Sequence, residues 1–327
     1  MTRFHRAARC AMLMVALFTL AGVAADAIAQ AYPVKPVRIV VPFAAGGRVD
    51  GIARLLAKGM GEQLGQPFVV ESRAGAGGSI GSDHVAKSPG DGYTLLLASA
   101  GTHAILPNVD RRLPYDSIKD FTPIANLVEG FTFIGAHPSL GVRDIAGLVE
   151  RAKEKPGTIG FATSGVGTYG HFAGELLKIS SGTDLIHIAY KGSGPALTDL
   201  SAGHVPMMIA GELVELAKGG KIHVLATTNE RRWPGLPDVK TMKEQGYPQF
   251  TVHSWIGLVG PANLAPDVVA RLNAAASRTM NDPVVQEQLA KLGVLTSFTT
   301  PEAFAERIRA DREAYASVVS RAKLKFE

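Results

Sequence analysis

Glycine-bearing stretches hold the residues of this chain that have chemistry to offer. Phe43-Ala44-Ala45-Gly46-Gly47-Arg48-Val49-Asp50 follows a β-branched run (Val37, Ile39, Val40, Val41). It precedes a helical face of Ile52, Leu55, Leu56, Met60 and Leu64 that stops at Gly65. Strand, glycine turn and helix in that order aim unpaired N–H groups and the positive helix end at one point, which makes an anion site. Arg48 adds a guanidinium suited to a bidentate carboxylate pair, or else an exposed cation at a helix start. Asp50 complements the helix dipole; pointing inward, it would repel an anion. The arrangement recurs at Gly165-Val166-Gly167-Thr168-Tyr169-Gly170, where the hydroxyls of Ser164 and Thr168 join the backbone donors.

Other chemistries compete for these residues. The second loop also matches the dinucleotide pattern G-x-G-x-x-G, with Asp184 near the distance of a ribose-binding acid. Asp184 precedes the next strand-like run instead of closing it, however, and an exported chain lacks a ready nicotinamide pool. The loop reads better as an anion clamp, with no cofactor. Gly77-Gly78-Ser79-Ile80-Gly81 matches the hydrolase elbow G-x-S-x-G, yet flexible residues separate Ser79 from the run ending at Glu71. A glycine-rich turn is the preferred reading, with a serine hydrolase as the lesser alternative. Ser99-Ala100-Gly101-Thr102 and Tyr190–Pro195 are further loops of the strand-to-helix kind, offering hydroxyls or plain turns. The histidines from His84 to His253 show no H-x-x-x-H or H-E-x-x-H spacing, so no metal site is expected.

The ends and the composition narrow the setting. Arg3, Arg6 and Arg9 precede the uncharged stretch Ala11 to Ala25, and small-x-small triplets end at Ala29 and Ala31. Residues 1–29 therefore read as a secretory signal peptide, with the mature chain starting at Gln30 or Tyr32. Losing Arg3, Arg6, Arg9 and Asp26 takes the formal charge from +5 to +3. No basic run remains, which argues against nucleic-acid binding. Cys10 is the sole cysteine, so the mature chain has no disulfide or thiol chemistry. About 300 residues suffice for two α/β domains.

Stepping along the chain, Phe68–Glu71 and Thr94–Ser99 read as strands around a helix at Gly77–Ala86, giving βαβαβ and a parallel sheet. Leu113–Pro138 is less regular and marks a first passage between domains. A second alternating series follows: helix 144–155, strand 159–163, helix 169–180, strand 185–189, helix 195–202, then strands 205–209 and 222–227. Pro234, Pro237, Gly246 and Pro248 mark a return linker, after which 251–259 reads as a strand going back to the first domain. Three proline-initiated helices, 266–280, 283–292 and 301–322, close the chain.

Together these residues resemble the extracytoplasmic solute receptors of tripartite tricarboxylate transporters, the Bug family. The resemblance is carried by YPVKPVRIVVPFAAGGRVD, VVESRAGAGGSIG, DGYTLLLAS, LPYD with DFTPIA, AYKGSGPAL and SWIGLVGPANLAP. It implies an α/β, two-domain periplasmic-binding fold of type II with the ligand cleft between domains. Domain 1 is expected from 30–130 with 251–327, and domain 2 from 131–250. It also implies a small organic acid ligand, membrane permease subunits as partners, and no catalysis. The implied ligand loops map onto Phe43–Gly47 and Ser164–Thr168. With the neighbouring hydroxyl loop, this gives Phe43, Ala45, Gly46, Gly47, Arg48, Ser99, Thr102, Ser164, Gly165 and Thr168 as expected ligand-binding residues. The chain departs from the family pattern in three places. PFAAGG replaces the common PFPPGG, Arg48 replaces a small residue, and Ala210-Gly211-Glu212-Leu213-Val214-Glu215 replaces a proline-containing polar loop. A sensor that presents its ligand to a receptor kinase is an alternative to the permease partner.

Overall fold

The β-branched run forms β1 (Val37–Val41), and Gly47 starts α1 (Arg48–Leu64), which ends where Gly65 takes the left-handed conformation at φ 69°. Val49, Ile52, Ala53, Leu56, Ala57 and Met60 bury one face of α1. Truncating one of the larger of these, Leu56→Ala for example, costs about 2–5 kcal/mol in a packed core. The coordinates are a computed structural model that describes residues 32–248, 250, 252 and 254–322. The signal peptide, its cleavage triplets, Cys10 and His253 lie outside the described residues.

Next come β2 (Phe68–Ser72), α2 (Ser79–Ala86) and β3 (Thr94–Ser99), and both β2 and β3 pair with β1 in parallel. A helical turn at Gly101–Ile105 runs into α3 (Leu106–Val109). The stretch expected to be irregular instead holds two strands, β4 (Phe121–Gly130) and β5 (Phe133–Ala136). Pro123, Asn126 and Glu129 hide β4 from pattern reading. The strand is buried on both faces, and its pairing shifts register twice, so no alternation survives.

The second series is α4 (Ile145–Glu154), β6 (Ile159–Thr163), α5 (Tyr169–Ser181), β7 (Leu185–Ala189), α6 (Ser193–Ser201), β8 (Met207–Ala210), α7 (Val214–Lys218) and β9 (His223–Thr227). The chain then returns through β10 (Ser254–Pro261), α8 (Pro266–Met280), α9 (Pro283–Lys291), β11 (Val294–Thr296) and α10 (Pro301–Ala322). The short α7 and β11 have no counterpart in the sequence reading.

Two sheets result. One has six strands in the order β11-β4-β10-β3-β1-β2, the other five in the order β7-β6-β8-β5-β9. Neither is wholly parallel: β10 runs antiparallel to β3 and β4, and β5 antiparallel to β8 and β9. The chain leaves the first sheet at Gly130 and enters the second at Phe133. The return begins at Thr228, and the two passages are tied together. Thr228 N–H donates to the Thr132 carbonyl at 2.9 Å, and the Asn229 side chain bonds both the Gly130 carbonyl (3.1 Å) and the Thr132 N–H (3.0 Å).

Candidate functional site

The carboxyl ends of β1, β2 and β3 carry Phe43–Gly47, the Gly75–Gly78 turn and Ser99–Thr102. Those of β6, β7 and β8 carry Ser164–Thr168, Tyr190–Gly192 and Gly211–Leu213. Loops at the carboxyl ends of strands are where open α/β sheets bind ligands. Here the two sets meet. Ala44 N–H donates to the Lys191 carbonyl at 2.9 Å. Gly77, at φ 64°, lies so close to the second loop that a Cβ there would overlap the Val166 carbonyl oxygen.

A cavity of about 180 Å³ lies at this meeting point, walled by Phe43, Gly77, Ser164, Gly165, Tyr190 and Lys191 among others. Beside it is a nearly closed space lined by Phe43, Gly47, Arg48, Ser164, Tyr169 and Ser193. A larger groove of about 820 Å³ runs along α1 and β2, past Arg54, Gly61 and Phe68. It has no convergent loop donors or helix starts, so the smaller spaces between the loops are the better candidate.

The expected residues divide into three groups. Phe43, Gly47, Arg48, Ser164 and Gly165 reach the cavity walls. Ala45 and Gly46 are exposed, and the Gly46 N–H is taken by Asp50 Oδ2 at 3.2 Å. Asp50 in turn pairs with Arg54 at 2.9 Å, so its charge is turned to the helix and the loop. Thr168 is buried, with its hydroxyl donating to the Gly165 carbonyl at 2.8 Å, which makes it a brace for the second loop. Ser99 and Thr102 bond each other, the Thr102 hydroxyl also meets the His103 ring, and neither lines the cavity.

The second loop is held from behind by a pair of stacked imidazoles. His171 and His187 lie 3.7 Å apart with their planes within 9°. His171 Nδ1 accepts from the Gly167 N–H at 3.1 Å, and His187 Nε2 meets the Thr163 hydroxyl at 2.7 Å. Burial first, then nearby positive charge, pushes His171 down to about 3 and His187 to about 4, so both are neutral at physiological pH.

Two residues not expected from the sequence complete the site. Ser193 begins α6, facing Gly47 at the start of α1. Its hydroxyl donates to Glu212 Oε1, which also accepts the Arg48 N–H at 3.0 Å, while Oε2 accepts the Gly211 N–H at 3.0 Å. The Arg48 guanidinium is fully buried between Gly130 and Gly211, and a Cβ on Gly211 would overlap it. It donates to the Phe131 carbonyl at 2.9 Å and the Ser254 hydroxyl at 3.2 Å, and lies 5.0 Å from the Tyr169 ring centre. The glycine loop Tyr190–Pro195 was the one sequence signal for Ser193; for Glu212 it was the departure of Ala210–Glu215 from the family pattern, which named no role for the carboxylate.

The competing chemistries find little here. Ser79 starts α2, and no hydrogen bond joins it to a histidine among the described residues. Asp184 is exposed and faces Gly157, away from the glycine loop.

Two α/β sheets joined by paired crossings, with helix starts and glycine loops facing one another, define a solute-binding receptor of the periplasmic-binding-protein type. The profile of the tripartite tricarboxylate transporter family receptor matches residues 52–316, and the chain belongs to that family. Protein BugT of Bordetella pertussis is 35% identical over 310 residues, covering 93% of this chain and 95% of BugT. The solved periplasmic binding protein BugD superposes with a TM-score of 0.87 at 34% identity, covering 90% of this chain and 100% of BugD. MatC from Rhodopseudomonas palustris, solved with bound malate, gives a TM-score of 0.85 at 32% identity over 88% of this chain and 100% of MatC.

Proposed function

We propose that this protein is exported to the periplasm, captures a small organic carboxylate between its two lobes, and delivers it to the membrane subunits of a tripartite tricarboxylate transporter. The lobes correspond to residues 30–130 with 251–327, and to 131–250, and the ligand is held without chemical conversion or cofactor. One observation carries the reading: the loops after β1 and β6, with the first residues of α1 and α5, come together around two adjoining spaces, Phe43, Gly47 and Arg48 from one sheet and Ser164, Gly165 and Tyr169 from the other. The malate held by MatC supports a carboxylate as the ligand class. The match to the transporter receptor family and to the periplasmic binding protein BugD supports binding without turnover.

Closure follows from the same geometry. A ligand touching loops of both lobes has more contacts in the closed form, so it shifts the population that way. The direct test is a thermal-shift screen of the mature protein over organic acids. A ligand that binds only the folded state raises the melting temperature in proportion to its occupancy. Stabilisation by some carboxylates, and not by matched neutral amides, is the expected result. No response to any organic acid would refute the carboxylate reading.

A further inference from the structure

Glu212 and Arg48 are two charged side chains placed where α1 and α6 start, and they do not form an ion pair with each other. Glu212 is half-buried and accepts from three donors: the Arg48 N–H, the Gly211 N–H and the Ser193 hydroxyl. Two of these belong to the first turns of helices from opposite sheets, so the donors that would suit an anionic ligand already hold a carboxylate. No Lys or Arg side chain forms an ion pair with Glu212 among the described residues. The Arg48 guanidinium, fully buried beside the Tyr169 ring, donates to the Phe131 carbonyl and the Ser254 hydroxyl, and its Nε has no hydrogen-bond partner among the described residues. No carboxylate lies within ion-pair distance of it among the described residues. A buried cation without a counter-charge is costly and calls for an anion.

We propose that Glu212 is the specificity-determining residue of the cleft. Its carboxylate occupies the place of one ligand carboxylate, so the protein selects organic acids with a single carboxylate and a hydrogen-bond-donating or neutral far end. The unpaired Arg48 guanidinium attracts the one carboxylate of such a ligand. A second ligand carboxylate would meet Glu212 as a like charge at partly desolvated helix starts, whereas an ammonium or amide N–H would find an acceptor. This rests on the carboxylate-receptor reading and narrows it.

The test uses acids matched in length: succinate, β-alanine and propionate; glutarate, 4-aminobutyrate and butyrate; terephthalate, 4-aminobenzoate and benzoate. Each is titrated by calorimetry into the mature protein, into Glu212→Gln, which keeps the size and one acceptor, and into Glu212→Ala. In at least one series the wild type should bind the amino or unsubstituted acid about tenfold or more tightly than the diacid, and both variants should shift that ratio toward the diacid by a similar factor. Acetate at millimolar concentration should raise the melting temperature of Glu212→Ala more than that of the wild type, by filling the vacated donors. A wild-type preference for diacids, or a ratio unchanged by both substitutions, overturns the assignment and leaves the carboxylate receptor standing. Failure of every acid to bind any of the three proteins overturns both.

Discussion

Lowering the pH from 8 to 5 should destabilise this protein steeply, because three of its histidines resist protonation in the folded state. His103 is fully buried, with its ring centre 4.6 Å from that of Phe121 and its Nδ1 2.9 Å from the Thr102 hydroxyl. Burial pushes it down to about 3. The stacked His171 and His187 sit at about 3 and about 4. The ordinary value is 6.5, so between that and the folded values only the unfolded chain binds these protons. Their contribution is fully present above pH 6.5 and is lost as the pH falls toward 4 and 3. At pH 5 each such histidine favours unfolding by about 2 kcal/mol, and the three together by at most about 6 kcal/mol. The slope near pH 5 should approach about 4 kcal/mol per pH unit, three protons taken up per unfolding event. Glu244, drawn down to about 2 chiefly by its bond with Arg232, acts with the same sign but below about pH 4.5. The histidine window is therefore separate. Urea unfolding at half-unit pH steps measures the slope, and His103→Phe should remove about a third of it. Stability that stays level from pH 8 to 5, or native ring protons that titrate near 6.5, would refute the assignment.

Four further outcomes are expected. Gly77→Ala puts a methyl against the Val166 carbonyl at a positive φ, so it should force the two loops apart and weaken carboxylate binding, read by calorimetry, with urea unfolding reporting the stability cost separately. Ser164→Ala should weaken the best acid from the screen roughly tenfold, because a hydrogen bond to a charged group is worth about 1.5–3 kcal/mol; unchanged affinity would place the anion elsewhere. The secreted protein should begin at Gln30 or Tyr32 by intact mass, and a product retaining Met1 would show that no cleavage occurs. Saturating ligand should reduce the radius of gyration in small-angle scattering, and tight binding with no change would contradict a two-lobe clamp.

The local rules of the chain were legible wherever one element settles its own form. The run Val37–Val41, the doubled glycine and the face from Ile52 to Met60 specify a strand, a turn and a helix within one stretch, and the structure has all three there. The second loop and its helix, Ser164 to Ser181, follow in the same way, as do the proline-started helices at Pro266, Pro283 and Pro301. The family was legible too, since the order of its motifs survives in the linear chain. Tertiary structure decided the rest. β4 is recognisable as a strand only through its partners β10 and β11, because a strand buried on both faces and bulged has no period of its own. Arg48 reads equally well as a surface cation until Phe131 and Ser254, 83 and 206 positions away, close around it. Glu212 lies 164 positions from the N–H it accepts. Such contacts are set by how two sheets pack across their crossings, and no local pattern encodes a partner brought together from so far along the chain.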